Sequence, residues 1–132
     1  MGMAQMNYHI ETIPHQNHRY ETVGDYFLDD TGITQVRISD MRNEDYQFLV
    51  MIHELVEEHL CRKRGIDEET VIKPFDEMYE ANRDPSDATS EPGWASDCPY
   101  RNEHAFAEKI EREIALELGV DWRIYSDTVN SL

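Results

Sequence analysis

Residues that bind metals or move protons recur at helical spacing in the stretch MIHELVEEHL, residues 51–60. His53, Glu57 and Cys61 stand at i, i+4 and i+8, so on a helix turning about 100° per residue they form one line along its side. With His53 at zero, Leu49, Ile52, Val56 and Leu60 fall between about 260° and 340°, an apolar stripe expected to face the core. Glu57 at about 40° and Cys61 at about 80° flank that stripe. A carboxylate so close to a core has to be paired, protonated or bound to a cation. Imidazole and carboxylate one turn apart can close on a single ion. Glu54, at about 100°, stands beside them, where it can act as base toward a water on that ion. Glu58 and His59 point elsewhere.

A second polar set lies in YRNEHAFAEKIEREIALELG, residues 100–119. Phe106, Ala107, Ile110, Ile114 and Leu118 define its expected core face, and Glu103 and Glu111 fall inside or beside that face, with His104 next to them. The bland account is local: Glu103 gains from the helix macrodipole without any metal, and Glu111 can pair with an arginine. The two helices together, each with inward polar residues at ligand spacing, predict a divalent-metal site. Glu111 and Cys61 are then outer contacts, as are Asp76 and the Asp97-Cys98 pair unless these serve as caps or loop residues.

These helices need a frame. Residues 7–13, NYHIETI, alternate like a strand that Pro14 ends. Tyr26 to Leu28 and Ile33 to Ser39 read as a hairpin around Asp29-Asp30-Thr31-Gly32. Asn43 or Asp40 can cap a helix over 44–64, with Arg62, Lys63 and Arg64 at its C-terminal end and Gly65 as its stop. A further helical piece over 68–82 is interrupted or restarted at Pro74. Residues 83–99 form a long Pro/Gly/Ser/Asp-rich loop, and the last helix, about 100–118, ends at Gly119. In the tail, Trp122, Ile124 and Tyr125 are expected to dock on the core before the chain frays. The fold class that follows is α+β: one domain over 1–132, with a small antiparallel sheet, the N-terminal strand plus the hairpin, against about three helices. Residues 1–6, MGMAQM, carry no pattern and are left out of this reading.

The 132 residues carry a net charge of −16, with 39% apolar and 30% charged residues. Such a surface repels nucleic-acid phosphates and anionic membranes, and it suits metal ions or a cationic protein or peptide partner. Without a long apolar run or a signal core the chain is expected in the cytoplasm. There Cys61 and Cys98, which lack CxxC spacing, are expected as thiols.

The helix VMIHELVEEHL following the strand ITQVRIS resembles the minimal zincin metallopeptidase arrangement: an edge strand, a helix with H-E-x-x-H, and a later helix with the third ligand. The chain is also similar to small phage and bacterial proteins of no established activity. They share HEL.E..LC, here His53 to Cys61, then PY..EH.FA, here Pro99 to Ala107, and ELGVDW, here Glu117 to Trp122. The zincin resemblance implies His53 as ligand, Glu54 as water-activating base, Glu57 in the place of the second histidine, and His104 or Glu103 as third ligand. An anion replacing an imidazole acidifies bound water less and moves preference from zinc toward manganese or iron. Two functions are therefore expected: a metal-dependent hydrolase acting on a peptide or protein, or a non-catalytic metal-binding or protein-interaction module. A di-iron carboxylate protein would need paired Glu-x-x-His helices that the sequence lacks.

Overall fold

A computed structural model of the chain describes residues 5–84, 86–87 and 90–132. Residues 1–4, within the patternless leader, and 85, 88 and 89, within the expected 83–99 loop, lie outside the described residues. The strands β1 (Tyr8–Ile13), β2 (Gly24–Leu28) and β3 (Thr34–Ser39) form one sheet in the order β1-β3-β2. The β2–β3 hairpin is antiparallel, as expected. Its turn is set by Asp29, whose carboxylate accepts from the Thr31 and Ile33 amides, and by Gly32 at φ 87°, a conformation that costs glycine nothing. β1, expected to make the sheet wholly antiparallel, instead pairs parallel to β3. The connection 14–23 is long enough to pass β3's place and start β2 one strand further out. The chain still reverses, but β1 ends beside the strand that runs its own way. β3, expected at an edge, is therefore central, and Val36 and Ile38 on it are fully buried.

Helix α1 (Glu44–Lys63) starts where the Asn43 side chain accepts the Tyr46 amide, while Asp40 instead accepts from Arg42. After Gly65, a π-helical turn (Glu68–Ile72) leads into α2 (Lys73–Ala81). Pro74 lacks the N–H that a continuous helix would direct at the Thr70 carbonyl, and the wider turn, with Lys73 N–H on the Glu68 carbonyl, takes up the mismatch. α3 (Arg101–Leu118) ends on Gly119 in the left-handed region. The tail does not fray after docking: it forms α4 (Trp122–Asn130), capped by Asp121 on the Ile124 amide. Tyr125 is buried there, whereas Ile124, expected on the core, faces out. The fold is thus α+β, a three-stranded mixed sheet against four helices. Among the described residues no helix is long and apolar enough to cross a membrane.

α1 packs against α3, and the faces they share correct both expected stripes. On α1 the buried residues are Leu49, Val50, His53, Glu57, Glu58 and Cys61, while Ile52, Val56 and Leu60 are only half-buried. On α3 they are Glu103, His104, Ala107, Glu111 and Ala115, and Phe106 and Leu118 are exposed. The polar line expected at the flank lies at the centre of the interface. Polarity misjudges the buried face when polar groups of one helix satisfy those of the other.

Candidate metal centre

Three atoms converge between α1 and α3. His53 Nε2 lies 3.1 Å from Glu57 Oε2 and 3.1 Å from His104 Nδ1, and the last two are 2.8 Å apart. That is the mutual spacing of ligands around one small cation at roughly 2.0–2.2 Å. These three residues are the group among the described residues able to hold a metal ion. The set is assembled locally and then across the fold: His53 and Glu57 come from one face of α1, and His104 from the first turns of α3.

The remaining atoms of two ligands are already committed. His53 Nδ1 is 2.7 Å from Glu111 Oε1; with that oxygen accepting the Nδ1 proton, a neutral His53 would present its Nε2 lone pair to the centre. The Tyr125 hydroxyl donates to Glu111 Oε2 at 2.6 Å, tying α4 to α3 and, through His53, to α1. The Tyr26 hydroxyl donates to Glu57 Oε1 at 2.9 Å, leaving Oε2 turned to the centre. Such outer partners fix tautomer and ring orientation at metal sites.

The electrostatics describe a buried carboxylate kept charged between two imidazoles. Burial opposes charge on Glu57, but hydrogen bonds and charge from His104 and His53 hold its carboxyl down at about 2. Burial likewise works against charged imidazoles, yet Glu111 and Glu57 raise His53 well above its ordinary value. Glu57 and Glu91 raise His104 to about 9. Two ring nitrogens 3.1 Å apart repel if both carry protons. One divalent ion taking all three lone pairs satisfies them together.

The cluster opens on a cavity of about 800 Å³. Glu54 lines it one residue along from His53, half-buried, and burial followed by the charge of Glu57 raises its carboxyl well above the ordinary range. Its carboxylate lies against edge strand β2: a Cβ on Gly24 would stand 2.7 Å from Glu54 Oε1 and 2.8 Å from Val50 Cγ1, so these side chains would have to shift. Gly93 does the same for His104, since a Cβ there would meet the imidazole at 2.4 Å. Asp76 also lines the cavity, and burial raises its carboxyl to about 7 while the Tyr100 hydroxyl donates to it at 2.5 Å.

Of the residues singled out in the sequence, the fold brings together His53, Glu57 and His104, with Glu54 and Glu111 beside them. It takes Glu103 elsewhere: its carboxylate is 2.7 Å from Arg64 Nη1, so His104, not Glu103, joins the cluster. Glu111 pairs with a histidine rather than an arginine. Cys61 stays a buried thiol, pushed up to about 12 by burial and Glu57, and touches the site only through Tyr26 at 3.9 Å. Cys98 is likewise free and buried. Glu58 points away, as expected, but is buried between Tyr8 and Arg62. Tyr26, Glu91 and Gly93 were not foreseen; their periodicity marks them as strand and loop residues, and nothing local announces their partner.

No known protein family, curated protein or solved structure matches the chain.

Proposed function

We propose that the chain is a metal-dependent hydrolase of zincin type, holding zinc on His53, Glu57 and His104 with Glu54 as base. The observation that carries this reading is the convergence of two imidazole nitrogens and one carboxylate oxygen within 3.1 Å, at the wall of an accessible cavity. Two histidines and one carboxylate are a donor set of established zinc hydrolases. Glu57 in the second-histidine position is compensated by His104 in the third, so the set keeps one anion and two imidazoles and the pull toward manganese or iron is relieved. An ion so held supplies Lewis acidity and raises the acidity of a water at its open position. Glu54, in the cavity wall one residue along from His53, would take that proton and return it to a leaving group. Carboxylates lining the cavity, Glu68, Asp76, Glu77 and Glu108 among them, outnumber the cations Arg19, Lys73 and Arg83. That lining favours a peptide presenting a positive charge near the bond to be cut.

Elemental analysis of protein purified without chelator is expected to find one zinc per chain, and none in His53→Ala or Glu57→Gln. Glu54→Gln is expected to keep the metal and lose cleavage of a fluorescence-quenched peptide library by about 10²-fold or more. Metal-free, folded wild-type protein would sink the reading. Metal with no peptide cleavage by wild type would leave the non-catalytic binding module in its place.

A further inference from the structure

His104 is the one ligand whose second ring nitrogen is left over. Its Nε2 is buried and has no hydrogen-bond partner, although the residue as a whole is only 8% exposed. A ligand that gives its Nδ1 lone pair to a cation must carry its proton on Nε2, and a buried N–H without an acceptor is costly. One carboxylate is in reach: Glu91 Oε2 lies 3.4 Å away, too poorly aligned to count as a hydrogen bond. Glu91 opens the turn Pro92–Trp94, which lies on the same ring, with the Trp94 indole edge-on at 5.1 Å and the Gly93 backbone against the imidazole. His53 already shows the completed form of this arrangement, with Glu111 on its outer nitrogen at 2.7 Å.

We propose that Glu91 is the positioning residue of His104: with an ion on Nδ1, Glu91 accepts the Nε2 proton and sets the ring, as Glu111 does for His53. The inference rests on the metal reading above. It gives Glu91 and the Pro92–Trp94 turn a defined part in the site: they supply the outer carboxylate of the ligand that α3 contributes. The carboxylate side chain of Glu91 is 44% exposed, so its replacement leaves the core intact.

The test is zinc affinity of the full chain, measured by competition with a chromophoric chelator, together with the imidazole N–H resonances of ¹⁵N-labelled protein. Removing an outer carboxylate is expected to weaken zinc binding about 10- to 100-fold in Glu91→Ala, with Glu91→Gln in between because its amide oxygen still accepts. Glu113→Gln, which removes an exposed carboxylate outside the cavity, is expected to bind as wild type does. In zinc-loaded wild type His104 is expected as the Nε2–H form with a downfield proton, lost in Glu91→Ala. Equal zinc binding by wild type and Glu91→Ala, an equal loss in Glu113→Gln, or an Nε2 proton unchanged by the substitution would overturn the assignment of Glu91 alone. Wild type that takes up no zinc would instead overturn the metal reading on which it rests.

Discussion

Two of the three groups at the centre, His53 and Glu57, are each held by a second group outside the cluster. The Tyr125 hydroxyl reaches Glu111 at 2.6 Å, Glu111 reaches His53 at 2.7 Å, and His53 turns its free nitrogen inward. Removing the first link leaves a buried carboxylate oxygen without a donor, which costs about 1–3 kcal/mol. Tyr125→Phe is therefore expected to lower unfolding stability by about that much in denaturant titrations. It is also expected to weaken zinc binding several-fold, because Glu111 is freed to turn. Unchanged affinity in a destabilised Tyr125→Phe would show that Tyr125 serves packing alone.

At the scale of elements, the site is a seam between α1 and α3 closed from outside by the Pro92–Trp94 turn. The close approach of that turn is what Gly93 permits. Gly93→Ala would place a methyl 2.4 Å from the His104 ring, so ring or turn has to move. We expect zinc affinity to fall about tenfold or more. Gly32→Ala is the contrasting case: a methyl there meets nothing, but φ is 87°. It is expected to cost about 1–2 kcal/mol of stability through backbone strain and to leave zinc affinity unchanged. Calorimetric zinc titration of the two variants separates contact at the site from strain in the hairpin.

For the molecule as a whole, a net charge of −16 gathers divalent cations near an acidic cavity and makes proton occupancy part of stability. Asp76 is the clearest case. Burial raises its folded-state value to about 7 from an ordinary 3.8. Between those two values the folded chain keeps a proton that the unfolded chain has released, so stability falls as pH rises through the window. Below it both states are protonated, and the effect is absent. Asp76→Asn keeps an oxygen for the Tyr100 hydroxyl and removes the titration. It is expected to be more stable than wild type at pH 8, with the difference shrinking as pH falls toward 4, in urea unfolding at both pH values. A constant difference across that range would rule out Asp76 as its source.

Local chemistry was legible in the sequence because helices and tight turns are short-range and periodic. Asn43 as cap, Gly65 and Gly119 as stops, Pro74 as interruption and the Asp29–Gly32 turn are where their residue types place them. The line of His53 and Glu57 follows from the 3.6-residue repeat alone. Less was legible wherever distant segments meet. Periodicity put Leu49 and Ala107 in the core, where they are, but ranked Ile52, Val56 and Phe106 above more deeply buried polar residues, since it cannot tell that a polar line will be covered by another polar line. It left His104 and Glu103 equal as third ligand, because they are neighbours on one helix. What separates them is how α3 lies on α1, which turns His104 to residues 47 and 51 positions earlier and Glu103 to Arg64. By itself the sequence determined most of the elements, though not α4, and one pair of candidate ligands at helical spacing. The tertiary structure alone decided the parallel place of β1, the third member of the His53–Glu57 cluster and the tyrosines and carboxylates behind it, because each depends on packing between segments that no local rule connects.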